Sequence, residues 1–181
     1  MNIRSLLSET ARECGCTEWG FIPINKLQIY PEIRKICQGN SCGNFGRSWA
    51  CPPAVGTLEE CRNRVQRYSN ILLFSRKFDL EDSFDFEGMT NGLRSFKDTV
   101  DKFAEAVCPR LNEILVLSNE GCGRCSICTY PDSPCRYPER LYPSIEGFGF
   151  IVSELAHQAY IKYNSGPNTV TFFGAILFNE D

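Results

Sequence analysis

Thr57 to Phe74 reads TLEECRNRVQRYSNILLF, and this stretch decides the fold class. Its first four residues match a capping box, in which the Thr57 hydroxyl and the Glu60 carboxylate satisfy helix-end N–H groups reciprocally. Leu58, Cys61, Val65 and Tyr68 then form the apolar stripe of the helix so opened. Asn70 to Phe74 (NILLF) is a continuous apolar run of strand length, bounded by polar residues. A helix feeding straight into a buried strand predicts layers of both kinds.

The same alternation extends outward. Ile3, Leu6, Leu7, Ala11 and Cys14 give an opening helix ended by Gly15, and Trp19 to Ile24 (WGFIPI) is a short strand whose Pro23 suits an edge. A second helix is expected from about Asn25 to Ile36. Downstream, Asp79 to Glu87 carries five acids in nine residues, the pattern of a solvated loop or of an acidic docking patch. Leu93, Phe96, Val100, Phe103, Val107 and Leu111 mark the longest helix. Ile114 to Leu117 (ILVL) is another short strand. Ile145, Phe148, Val152, Leu155 and Ala159 predict one more amphipathic helix, and Thr169 to Phe178 (TVTFFGAILF) a closing strand. Together these predict an α/β or α+β fold: one domain over residues 1–181, with a single layer of about four short strands, flanking helices and two irregular cysteine-rich loops, 37–56 and 119–143.

Composition narrows the class. Of 181 residues 43% are apolar and 23% charged, which excludes a disordered chain. A net charge of −3 offers no field for nucleic acid. The longest apolar run, Phe172 to Phe178, is far short of the ~20 residues that span a bilayer. Arg4, Glu9, Arg12 and Glu13 leave no room for a signal-peptide core, so a cytoplasmic location is expected, where structural disulfides are rare. Eleven cysteines in such a chain call for chemistry.

The sharpest pattern is Cys122-x2-Cys125-x2-Cys128-x6-Cys135, followed by Arg136 and Pro138. Thiols at i, i+3 and i+6 wrap one compact object, as ferredoxin loops wrap a cubane cluster. Zinc more usually takes two separated pairs, so it stands as the alternative, with a catalytic or redox thiol set behind it. The second pattern is Cys37-x4-Cys42-x8-Cys51-Pro52-Pro53. Its fourth ligand is open. Cys61 is next along the chain, in the first turn of a helix where the dipole favours a thiolate, yet it also lies on that helix's apolar stripe. With Cys61 in the core, this site would have a non-cysteine fourth ligand or an open iron.

Cys14 and Cys108 fall on or beside apolar stripes and are expected in the core; Cys16 reads either way. His157, the only histidine, lies opposite Phe148 and Leu155 and is expected in solvent. Arg47, Arg124, Arg136 and Arg140 are either counter-charges for clustered thiolates or ordinary surface charge. Trp49, Tyr130, Tyr137 and Tyr142 are expected to shield the sites from water, which tunes a metal's potential.

Assembled, these residues resemble a cysteine-rich family known as predicted metal-binding proteins (DUF2284). The likeness runs through Cys42 to Pro53 (CGNFGRSWACPP), Cys122 to Cys128 (CGRCSIC), Pro134 to Pro138 (PCRYP), Pro143 to Gly149 (PSIEGFG) and Val170 to Leu177, nearly the whole chain. It implies metal binding through those cysteines and occurrence in anaerobes, and carries no reaction. Ala11 to Ile24 (ARECGCTEWGFIPI) is in addition faintly similar to the opening of corrinoid-handling reductases such as epoxyqueuosine reductase.

The sequence therefore predicts a redox protein with one [4Fe–4S] cluster on Cys122, Cys125, Cys128 and Cys135. A second is expected on Cys37, Cys42 and Cys51, with Cys61 in question. Its work would be passing low-potential electrons to a redox partner protein or a corrinoid-type cofactor. An enzyme with an open iron for a small substrate, and a zinc-stabilised interaction module, are the alternatives.

Overall fold

The computed structural model describes residues 2–180. In chain order these form helix α1 (Ile3–Glu13), strand β1 (Glu18–Pro23), helices α2 (Pro31–Gln38) and α3 (Leu58–Val65), strand β2 (Asn70–Asp79), helix α4 (Phe86–Val107), strand β3 (Ile114–Ser118), helix α5 (Val152–Gln158) and strand β4 (Thr169–Phe178). The four strands make one antiparallel sheet in the order β1-β2-β4-β3. Pro23 sits on an edge strand, where its missing N–H costs no ladder bond. The antiparallel pairing resolves the fold-class alternative in favour of an α+β layering.

Both faces of the sheet are covered, which explains the unbroken apolar runs in its two central strands. Leu72 and Phe74 of β2, with Phe172, Ile176 and Phe178 of β4, pack on one face against Leu7 and Ala11 of α1 and Phe96, Val100, Phe103 and Val107 of α4. Ile71, Leu73, Phe173, Ala175 and Leu177 pack on the other with Cys61 and Val65 of α3 and Val152, Leu155 and Ala156 of α5. A strand with one wet face would alternate instead. Strand β2 is longer than expected: it runs ten residues, its last four becoming more exposed as they leave the layers.

Several local expectations need correction. The helix placed at 25–36 is a short 3-10 turn at Ile24–Lys26 followed by extended chain, and α2 begins only at Pro31. Proline disfavours a helical residue before it, and Tyr30 is accordingly extended, its N–H donating to Gly149 O at 2.8 Å. The α2 helix also runs on to Gln38, so Cys37 lies in its last turn. The continuous helix expected from Ile145 to Ala159 is broken. Glu146–Phe148 form a 3-10 turn, Gly149 follows at φ +82°, and α5 starts at Val152. A Cβ on Gly149 would stand 2.8 Å from Ile29 and 2.9 Å from Leu58, so tight packing and backbone conformation both select glycine here. The stripe residues are nonetheless all buried, because both halves face the same core. Cys108, expected in the core, is exposed in the 3-10 turn Cys108–Arg110 that ends α4.

Other readings stand. Thr57 and Glu60 make both bonds of the capping box. The acidic segment ends in a helix cap, with Asp85 accepting from Gly88 N at 2.7 Å at the start of α4. His157 is exposed, and no described helix is long and apolar enough to cross a membrane.

Candidate metal centre

The two cysteine loops come together where Gly121 runs against Asn44 and Cys51. In the first, Cys37 is presented by the end of α2, and Asn40 Oδ1 accepts from Phe45 N at 2.9 Å, closing the turn that carries Cys42. Gly46 N donates to Pro52 O at 2.9 Å, which folds the chain back beside Cys51. Ser144 N donates to Ala50 O at 2.8 Å, and this bond fastens the loop to the turn before Glu146. Cys37, Cys42 and Cys51 then line one cavity of about 270 Å³, together with Ile33, Phe45, Asn44 and Glu146. That space is far larger than one water, at about 30 Å³.

Cys61 is elsewhere. It is fully buried among Val55, Val65 and Phe148, and it does not line this cavity. Its Sγ lies 3.3 Å from Arg34 Nη2 and 3.6 Å from Val55 O. Arg34 also donates to Gly56 O and Gly147 O at 2.9 and 2.7 Å.

The second loop gathers Cys122, Cys125, Cys128 and Cys135 around a cavity of about 420 Å³. Its own bonds hold it: Thr129 Oγ1 to Pro134 O at 2.8 Å, Ser133 N to Thr129 O at 3.0 Å and Arg136 Nη1 to Ile127 O at 2.9 Å. Trp49 crosses from the first loop, donating from its indole to Ser133 O at 3.1 Å and standing edge-on to Tyr130 at 4.9 Å. Tyr137 N donates to Cys135 Sγ at 3.4 Å, a bond that stabilises a thiolate. Tyr142, expected as a shield, is half-buried over Asp101 beside α4, where burial pushes its hydroxyl well above its ordinary pKa.

The arginines divide. Arg124 pairs with Asp101 of α4 at 2.7 Å, and Arg140 with Glu105 at 2.8 Å, so helix carboxylates already engage both charges. Yet the buried Arg124 Nε finds no acceptor among the described residues, and Arg124 lines the four-thiol cavity with Arg47 and Arg136.

The two cavities share a wall. Asn44 lines both, and a Cβ built on Gly121 would stand 3.1 Å from Asn44 and 3.4 Å from Cys51 Sγ, one residue from Cys122. Gly121 at φ +65° thus lets the second loop run against the sulfur of the first. Behind the wall lies Lys97 of α4, whose ammonium donates to Asn119 O and Gly121 O, both at 2.6 Å, and to Ser118 Oγ at 2.9 Å. Burial pulls its pKa down to about 8, against the opposing pull of Cys122, Glu120, Glu146 and Cys51. Neither Lys97 nor Glu146 was legible as a site residue. The one signal was a polar residue set directly beside the apolar stripe, Lys97 next to Phe96 and Glu146 next to Ile145.

Two of the first-loop thiols, Cys37 and Cys51, are held above the ordinary cysteine range, chiefly by burial. Burial raises Cys51 to about 11, with a Ser144 hydrogen bond pulling the other way, and burial followed by Glu146 raises Cys37. A metal binding there releases protons, so its affinity rises with pH. Glu146 is itself raised to about 7, chiefly by burial. Among the described residues no three Cys, His, Asp or Glu side chains gather at one ion-sized point. A single tetrahedral zinc with Zn–S near 2.3 Å needs its sulfurs about 3.8 Å apart; here the thiols stand around cavities.

Replacing Lys97 by Met would leave two backbone carbonyls and a hydroxyl without their donor. An unmet buried acceptor costs about 1–3 kcal/mol, partly offset by relief of the buried charge. The expected result is a loss of about 2 kcal/mol in chemical denaturation at pH 7. Amide exchange should be faster at residues 118–123 than elsewhere. Unchanged exchange there would show that Lys97 does not anchor the loop.

Neither a curated protein nor a solved structure matches the chain. The faint N-terminal likeness at residues 11–24 has no counterpart in these comparisons, and most of it precedes the matched range of the family model. That model spans residues 20–178, both cysteine loops and all four strands but the start of β1. The chain belongs to the family described as Predicted metal-binding protein (DUF2284).

Proposed function

We propose that the chain is an iron–sulfur redox protein with two adjoining [4Fe–4S] centres, and that it passes low-potential electrons to a partner enzyme or cofactor. The observation that carries this reading is the second-loop cavity, where four thiols, with Arg47, Arg124 and Arg136 also in the lining, surround a space of about 420 Å³. Cys122, Cys125, Cys128 and Cys135 would hold one centre. Cys37, Cys42 and Cys51 would supply the thiolates of the other. A bound cluster supplies a one-electron couple, and its potential depends on net charge, hydrogen bonds to sulfur and exposure.

The chain's own residues supply those controls. Tyr137 N–H donates to sulfur, Trp49 and Tyr130 keep water from one side, and the Lys97 ammonium offsets negative charge from both thiol sets. Ile127 (78% exposed) and Tyr137 (44%) stand at the mouth of the second cavity, an apolar rim suited to a partner that collects electrons there. The shared wall favours transfer between the centres over two isolated sites.

Anaerobic purification tests the reading directly. The protein should be brown, with iron and acid-labile sulfide in about equal number, and should give an EPR signal on reduction. Colourless, air-stable protein carrying zinc would replace it with a zinc-stabilised module.

A further inference from the structure

The first loop offers three thiols where a cubane has four corners, and Cys61 does not make up the number. Its Sγ sits in the apolar core between Arg34 and the Val55 carbonyl, outside the cavity that Cys37, Cys42 and Cys51 line. A fourth donor must come from the cavity's own wall. Ser41, Asn44 and Ser144 are neutral there, and Glu120 is exposed. Glu146 is the remaining anionic donor. No side chain among the described residues donates a hydrogen bond to its carboxyl, and its charge bears on both Cys37 and Cys51.

Its position is fixed from several sides. Gly147 N donates to Ser144 Oγ at 3.0 Å and Ser144 N to Ala50 O at 2.8 Å, which ties the Glu146 turn to the residue before Cys51. Arg34 Nε donates to Gly147 O at 2.7 Å, which ties the same turn to the helix that carries Cys37. The arginine that occupies Cys61 therefore also seats Glu146.

We infer that the first-loop centre, in the cavity beside Ile33 and Phe45, is held by Cys37, Cys42 and Cys51 with the Glu146 carboxylate as its fourth donor, and that the corner Glu146 holds is the exchangeable one. This rests on the iron–sulfur reading. A carboxylate is a hard donor and binds a thiolate-rich iron less firmly than sulfur does. Mild oxidation removes one electron from such a cluster and releases the weakly held iron as Fe²⁺, leaving a three-iron form.

The test uses the full chain with the second loop silenced by Cys122→Ser and Cys125→Ser, reconstituted anaerobically with iron and sulfide. Iron per chain and the EPR signal of the three-iron form are followed after ferricyanide, which accepts the electron, is added. In this background Glu146→Gln should release its iron about tenfold faster. Glu146→Cys should release it more slowly than the background, and Cys61→Ser at the background rate. Cys37→Ser should hold no cluster. Equal release rates in the background, Glu146→Gln and Glu146→Cys would overturn the assignment while leaving a cluster in place, as would faster release in Cys61→Ser. A silenced background that binds no iron would overturn the two-centre reading and this inference together.

Discussion

Cys125→Ser is expected to halve the iron and sulfide bound by the chain and to leave the secondary structure as it is. Serine offers a hard hydroxyl in place of a soft thiolate, so on the proposed iron–sulfur reading the second-loop centre would lose a ligand that its geometry cannot replace. The nearest other thiols, Cys122 and Cys128, are already committed to the same cavity. The fold does not depend on that loop: the two hydrophobic cores on the faces of the sheet contain no residue between 119 and 141. Far-UV circular dichroism should therefore match the parent chain. Thermal stability of the loaded protein should fall, because binding free energy held only by the native state is lost with the metal. Cys14→Ser is the control, since Cys14 packs at the edge of a core and lines neither thiol cavity. Full iron in Cys125→Ser would remove Cys125 from the ligand set.

The candidate site was legible where local spacing carried it. Four thiols within fourteen residues cannot avoid one another, so Cys122, Cys125, Cys128 and Cys135 could be grouped without a fold. Cys37, Cys42 and Cys51 were likewise near in sequence. Cys61 was close too, yet its place depends on Arg34, Val55 and the sheet behind α3, and local spacing holds no information about those. Lys97 and Glu146 join the site through tertiary contacts alone. Arg124 shows the same limit, since its pairing with Asp101 spans the distance from loop to helix.

The fold followed a similar division. The capping box and the strands at 70–74, 114–117 and 169–178 rest on local chemistry and reappear in place. The break at Gly149 is hidden because apolar periodicity persists through it when both pieces face one core, whereas α2 buries no residue and has no core-facing stripe to mark its start. Pro31, which disfavours a helical residue before it, and Gly149, in a left-handed conformation, mark these two boundaries.

Phe74→Ala should cost about 3–5 kcal/mol, the range for truncating a fully buried phenylalanine. The ring is 0% exposed, 4.8 Å from Phe103 and 6.1 Å from Phe96, so α4 loses its main partner on β2. It also lies across Gly174 of the neighbouring strand, where a Cβ would stand 2.3 Å from the ring; no side chain there can fill the void. Against a total stability of about 5–15 kcal/mol for a domain, such a loss is severe. It should appear as a lower denaturation midpoint with an unchanged m-value. Phe84→Ala, at a residue 78% exposed, should stay within about 0.5 kcal/mol. The effect should also reach the metal site. The helix that Phe74 anchors carries Phe96 and Lys97 side by side, one face on the sheet and the other on the carbonyls of Asn119 and Gly121. Loss of the ring loosens the support of that ammonium, so chelator-driven iron release should quicken in Phe74→Ala and not in Phe84→Ala. Equal release in the two variants would mean that the cysteine loops hold their shape without α4.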